Sequence, residues 1–217
     1  MPELEDERGQ GLLDFPDLGP RDYVQPSGRP GPGHMSSMSE DWFTPPDVVE
    51  AVRELFGGTI SLDPFSCHEA NETVRAERFY TAADDGLVQP WAGKLLVNPP
   101  WGGGGTASTK SRAVRKLIRS YREGTVTEAV VVANANATTT RWFAPLFAYP
   151  VCFPPRRINY YGPNGTGTSP NNGTVMIYVG RNVRGFADVF SRFGNIMARF
   201  APAGPDAEAE DWDEAAG

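Results

Sequence analysis

The sequence predicts an α/β protein with a mostly parallel sheet and a late antiparallel hairpin. Short apolar runs such as Leu95–Val97 and Ala129–Ala133 alternate with longer stretches of helical periodicity. Pro and Gly clusters separate them, as at Pro45-Pro46, Gly57-Gly58 and Asn98-Pro99-Pro100. The length, 217 residues with 40% hydrophobic content, fits one globular domain with a single core.

The elements follow in order. Residues 1–39 carry Pro16, Pro20, Pro26, Pro30 and Pro32 among glycines and acids, and read as a disordered arm. The spacing of Val48, Val49, Val52, Leu55 and Phe56 predicts a helix over 46–56. Thr44 is expected to cap it, Pro45 and Pro46 suit its start, and Gly57-Gly58 ends it. A strand is expected at Thr59–Leu62, running into Asp63-Pro64-Phe65, then a short helix at 68–76 and a strand at Arg78–Tyr80. Asp84-Asp85-Gly86 reads as a turn. Lys94–Val97 reads as a strand ending at Asn98, followed by a flexible loop at Gly102–Gly105 and a helix over 109–123. A strand at Ala129–Ala133, a helix over 139–148 and a strand stub at Val151–Phe153 come next. Arg156–Tyr161 and Thr174–Val179 are expected to pair as the hairpin, and a last helix to span 183–199. Residues 201–217 read as a disordered acidic tail, which leaves 40–200 as the folded domain.

Charge follows this division. The total is −7, but residues 1–39 carry −4 and residues 201–217 carry −6, so residues 40–200 carry +3. A mildly basic domain between acidic tails is compatible with a nucleic-acid partner. The two cysteines, Cys67 and Cys152, make no disulfide framework, and no Cys/His cluster has metal-ligand spacing. With only His34 and His68 present, a histidine-dependent triad is poorly supplied. No run approaches the roughly 20 apolar residues of a membrane span, and the start lacks a signal-peptide pattern. The expected compartment is the cytoplasm.

Three short segments carry chemistry. In open α/β sheets ligands bind beyond the carboxyl ends of the strands, where Asp63 and Asn98 are both expected. In Asn98-Pro99-Pro100-Trp101, the Asn98 carboxamide oxygen and the Pro99 carbonyl can accept hydrogen bonds from a planar amine. That draws the nitrogen lone pair out of the ring and makes the amine nucleophilic. The prolines hold the acceptors still, and Trp101 offers a stacking face worth about 1–3 kcal/mol. Asp63, in Leu62-Asp63-Pro64-Phe65, can pair with an ammonium group. Thr44 and the helix start after Trp42-Phe43-Thr44-Pro45 can hold a carboxylate.

Thr44-Pro45-Pro46-Asp47-Val48-Val49, Asp63-Pro64-Phe65 and Asn98-Pro99-Pro100-Trp101 resemble, in this order, motifs X, I and IV of amino-methyltransferases. Together with Trp42, Asn71, Arg78-Phe79-Tyr80, Asp85-Gly86-Leu87 and Trp91, the set resembles the phage-type Dam family of DNA N6-adenine methyltransferases over roughly residues 40–200. The resemblance implies a Rossmann-like methyltransferase fold and S-adenosylmethionine as methyl donor. It implies adenine N6 in DNA as acceptor, with catalysis at Asn98, Pro99, Pro100 and Trp101. Cofactor contacts are then expected from Trp42, Thr44, Pro45, Asp63, Pro64, Phe65 and Asp85, with no metal. The sequence departs from many methyltransferases in Ser66-Cys67-His68-Glu69, which has no glycine, and in closing the tetrad with Trp. The residues alone also admit cytosine N4, an RNA base or a protein glutamine as the planar amine, or a silent DNA- or cofactor-binding protein.

A basic helix follows the tetrad. Lys110, Arg112, Arg115, Lys116 and Arg119 are candidates for phosphate contact, with Leu117, Ile118 and Tyr121 toward the core. Arg156-Arg157 is a second candidate surface. A duplex base must be everted to reach the tetrad. Tyr160 or Tyr161 could fill the vacated space, and the loop from Gly162 to Gly173 could order on DNA.

Overall fold

The computed structural model describes residues 43–100, 108–161, 167–168 and 172–199. The expectations for both tails, for Trp42 and Trp101, for the loop at Gly102–Gly105 and for most of the loop from Gly162 to Gly173 lie outside these residues.

The elements are α1 (Pro46–Phe56), β1 (Leu62–Asp63), α2 (His68–Val74), β2 (Arg78–Phe79), β3 (Gly93–Val97), α3 (Thr109–Arg122), β4 (Val126–Asn134), β5 (Val151–Phe153), β6 (Tyr160–Tyr161), β7 (Gly167–Thr168), β8 (Thr174–Val179), α4 (Val183–Phe190) and β9 (Asn195–Met197). Two 3-10 turns, Ala135–Thr139 and Ala144–Ala148, lie between β4 and β5. Seven strands form one sheet in the order β2-β1-β3-β4-β8-β5-β9. The ladders β1·β2, β1·β3 and β3·β4 are parallel, whereas β8 is antiparallel to β4 and β5, and β9 to β5. Five strands therefore run one way, and β8 and β9 run against them.

Alternation along the strands sends side chains to two apolar layers. Leu96, Val130, Val132, Met176 and Tyr178 pack with α1 and α4. Leu95, Val97, Val131, Ala133 and Ile177 pack with α3 and with Phe143 and Leu146 of the second 3-10 region. Each fully buried aliphatic side chain contributes about 1.5–3 kcal/mol. Helices on both faces leave the ends of the strands as the open edge.

Four expectations change. Thr44 does not cap α1: Pro45 occupies that position without a side-chain bond, because the Thr44 hydroxyl is engaged elsewhere. The helix expected over 139–148 is instead the pair of 3-10 turns. The hydroxyls of Thr138, Thr139 and Thr140 bond back to the carbonyls of Ala135, Asn136 and Ala137, competing with helical pairing. The expected hairpin partners separate. Tyr160–Tyr161 pairs with Gly167–Thr168 in a small sheet, while the wholly buried β8 fills the gap between β4 and β5. The last helix stops at Phe190. At Gly194 an added Cβ would stand 2.2 Å from the Phe153 carbonyl oxygen, so a residue without one lets β9 reach β5.

Candidate active site

The open edge gathers the chemistry. Asp63 ends β1, and Asn98 follows β3, its parallel neighbour. Between them lies a cavity of about 490 Å³. Its lining includes Thr44, Asp63, Pro64, Phe65, Asp85, Asn98, Pro99 and Pro100 from the expected set, with Arg112 from α3.

The Asn98 carboxamide has a defined orientation. Its Nδ2 donates to Thr44 Oγ1 at 3.2 Å, across 54 residues of sequence. Thr44 is 6% exposed. The bond turns the NH2 end of the carboxamide toward Thr44 and so fixes which end is nitrogen and which is oxygen. Pro99 is buried behind it. Thr44 therefore positions Asn98. The start of α1 is also a poor anion site, because Pro45 and Pro46 have no N–H and the Val48 amide already donates to Asp47 Oδ1 at 2.9 Å.

Asp63 is 4% exposed. Its Oδ1 accepts from the Phe65 amide at 3.1 Å, but no ion pair to it occurs among the described residues. Burial pushes its pKa up to about 6 despite the hydrogen bonds from Phe65 and Ser66. A buried carboxylate of this kind gains most from a cationic ligand, which restores its charged form.

The segment 80–91 closes the opposite wall. The turn brings Gly86 so close to the β1 end that an added Cβ would lie 1.9 Å from the Pro64 carbonyl oxygen. Trp91 Nε1 donates to the Gly86 carbonyl at 2.7 Å, and the Trp91 ring meets Phe65 edge-on. Tyr80 accepts the Ser66 amide on its carbonyl and donates its hydroxyl to the Pro90 carbonyl. Asp84 bonds both the amide and the hydroxyl of Thr81, which holds its carboxyl below the usual range and spends it on the turn. Asp85, with φ 48°, lines the cavity and accepts from the Leu87 amide at 3.1 Å. Gly86 thus lets the turn pack directly on the backbone that follows β1. Asn71 stands apart. Its carboxamide bridges the Ala76 amide and carbonyl and holds the end of α2.

A family model described as DNA N-6-adenine-methyltransferase (Dam) matches residues 34–195, a span that contains every wall of this cavity. The chain belongs to this family. Its activity is methylation of N6 of adenine in DNA. A search of curated proteins found no match to the chain.

The methyltransferase divides the expected DNA-contacting residues. Arg112, Arg115 and Arg119 are exposed on α3, with Arg115 also bonding Ser111 Oγ, and Lys110 is half-buried. Lys116 is a correction. Its ammonium donates to the Leu87 carbonyl at 2.7 Å and to the Gln89 carbonyl, and stands 5.3 Å from the Trp91 ring centroid. Desolvation lowers its pKa. It braces the cavity wall, and its charge is spent on these carbonyls rather than on phosphate. Arg156 and Arg157 are exposed past the end of β5. Tyr160 is fully buried, with its hydroxyl 3.0 Å from Thr174 Oγ1, and so cannot fill a gap in DNA. Tyr161 is exposed and is joined to Phe43, a cavity residue, by a backbone bridge.

Sequence reasoning missed Phe43, Tyr80 and Glu69 as cavity residues. The signal was available for Glu69, which lies just past a strand end at the start of α2.

Proposed function

We propose that the methyltransferase has a Rossmann-like catalytic domain and takes its methyl group from S-adenosylmethionine bound in the cavity. The Asn98–Thr44 bond, in the wall of a cavity that also holds the buried Asp63, carries this reading. The residues fit the group. The volume lies within the roughly 300–1,000 Å³ of ligand sites. Asp63 meets the ammonium end, while Pro64, Phe65 and Asp85 line the space for the remainder. When bound, S-adenosylmethionine supplies a methyl on a cationic sulfur, electrophilic enough that no general base need act first.

The chain's own groups prepare the amine. The Asn98 carboxamide oxygen and the Pro99 carbonyl accept from the two N–H bonds of adenine N6 and relocalise its lone pair. Neither acceptor is basic, so the proton shed after transfer goes to water. Trp101 stacks on the base once it has been everted from the duplex. Arg112 at the cavity wall, and Arg115 and Arg119 beyond it, meet the backbone phosphates near the everted nucleotide. Arg156 and Arg157 grip the backbone farther along. Trp42 and Pro45 complete the cofactor side, and the acidic tails flank a domain spanning about residues 40–200.

Titration of cofactor binding tests Asp63. Its pKa is raised to about 6, so between about pH 4 and 6 the folded protein holds a proton that the unfolded chain releases. Stability therefore falls as pH rises through that window and is level above it. An ammonium favours the ionised carboxylate, so affinity should rise with pH, by up to about tenfold per unit, and flatten above pH 6. Asp63→Asn should weaken binding about tenfold or more and remove the slope. Calorimetry between pH 4 and 7 reads both. An unchanged Kd and slope in Asp63→Asn would remove Asp63 from the site.

A further inference from the structure

The catalytic edge of the sheet continues past Asn98 to an amide cluster that the reaction does not use. β4 ends at Asn134, and β8 is antiparallel to it with Asn134 opposite Thr174. Asn136, just beyond β4, and Asn172, just before β8, therefore emerge from the same edge as Asn98. Asn136 Nδ2 donates to Asn172 Oδ1 at 2.8 Å. Asn136 is exposed and Asn172 half-exposed.

The backbone beneath this pair is held without it. Asn134 Oδ1 accepts the Asn136 amide at 2.8 Å, the Ala135 amide donates to the Gly173 carbonyl at 2.8 Å, and Thr138 Oγ1 closes on the Ala135 carbonyl at 2.8 Å. A hydrogen bond between exposed amides adds little stability, because water competes for both groups. The pair is thus a rigidly mounted polar device that folding does not require. Its bond spends one donor of Asn136 and the oxygen of Asn172. The Asn136 carboxamide oxygen and the Asn172 NH2 make no other hydrogen bond among the described residues.

We propose that the Asn136–Asn172 pair reads the edge of an A·T base pair near the target adenine. The proposal rests on the DNA-methylating activity of the family. Uncharged amides suit base edges rather than phosphates. Between them the two amides offer an acceptor for the N6 amino group and donors for N7 of adenine in the major groove. The order along the edge agrees: Asp63 on β1, Asn98 after β3, the pair at the β4–β8 seam, then Arg156 and Arg157 after β5. The pair lies one to two strand spacings to the side of Asn98 and, since Val97 faces Val131, at least two residues farther out along β4, roughly 9–14 Å in all. That is about three to four base-pair steps of 3.4 Å. A duplex gripped by Arg112 on one side and Arg156-Arg157 on the other passes over it.

The test compares full-length wild type with Asn136→Ala, Asn172→Ala and the double variant. Each is given S-adenosylmethionine and duplexes with randomised sequence around adenine, and methylated positions are mapped by modification-sensitive sequencing. Preference ratios within one preparation do not depend on how much protein is folded. Wild type is expected to favour A·T at one position within about four base pairs of the target. Each single variant should lose about 5- to 100-fold of preference there and nowhere else, and the double variant should lose no more. Unchanged profiles in the variants overturn the proposal, as does a uniform drop in rate with the profile preserved. A wild type that makes N6-methyladenine with no preference among neighbours also overturns it, and leaves the activity standing. A wild type that makes none overturns the activity and the proposal together.

Discussion

Replacing Asn98 with Ala is expected to lower the rate of adenine methylation by about 10²–10³-fold, the scale seen when one preorganised catalytic hydrogen bond is removed. The loss should fall on kcat, because the carboxamide oxygen acts on the amine as charge develops and the Asp63 end of the cavity is untouched. Thr44→Val keeps the shape of the wall and removes the oxygen that holds Asn98 Nδ2 at 3.2 Å. Its kcat should fall about tenfold, since one of the bonds that orient the amide is lost, and Thr44→Ser should restore it. Asn98→Asp keeps an acceptor, and the Thr44 hydroxyl can turn to donate to it, so this variant should retain measurable activity. Single-turnover methylation rates with saturating cofactor check the series. Equal rates for Asn98→Ala and wild type would show that Asn98 is not the acceptor.

Gly86→Ala should damage the fold and the site together. The new Cβ would stand 1.9 Å from the Pro64 carbonyl oxygen and 3.0 Å from its carbonyl carbon, and neither is a flexible side-chain end. The turn must move away from β1, which also strains the Trp91 bond to the Gly86 carbonyl. Overpacking of this kind costs about 3 kcal/mol. For a domain this size that is a fall in Tm of about 6–12 °C. Cofactor affinity should fall as well, because Asp85 and Leu87 on the moved turn line the same cavity. Gly57→Ala is the control: Gly57 has φ 76° but nothing within 4 Å, so it bears backbone strain alone, about 1 kcal/mol. Thermal scans with and without S-adenosylmethionine separate the two. A Gly86→Ala protein as stable as Gly57→Ala would contradict the close approach.

The parts of the site legible in sequence are those marked by local signals. Pro46 and Gly57 bracket α1 as the spacing predicts, and Asp63 and Asn98 stand at strand ends because a short apolar run stops at an Asp-Pro or Asn-Pro step. Pairing across long stretches of chain was not legible. Thr44 looked like a helix cap because nothing local reveals a bond to Asn98, 54 residues away. Lys116 looked like a surface cation because helical spacing does not show that the Leu87 and Gln89 carbonyls lie beneath it. Trp142, Phe143 and Leu146 have helical spacing, yet Trp142 and Phe143 lie in a turn and Leu146 in the short 3-10 segment after it, while the threonines just upstream bond their own backbone. The strand at Asn195–Met197 depends on Val151–Phe153 for its existence, and no local pattern announces it.

The central claim is that Asn98, at the mouth of a cofactor cavity anchored by Asp63, presents adenine N6 for methylation. Its most direct test gives the full-length protein methyl-labelled S-adenosylmethionine and unmethylated duplex DNA of mixed sequence, then digests the DNA and identifies the labelled nucleoside. All of the label should appear as N6-methyldeoxyadenosine. Asn98→Ala, with a cofactor Kd within about twofold of wild type, should give label reduced about 10²–10³-fold. Label in a different nucleoside, or equal label from Asn98→Ala, would contradict the account.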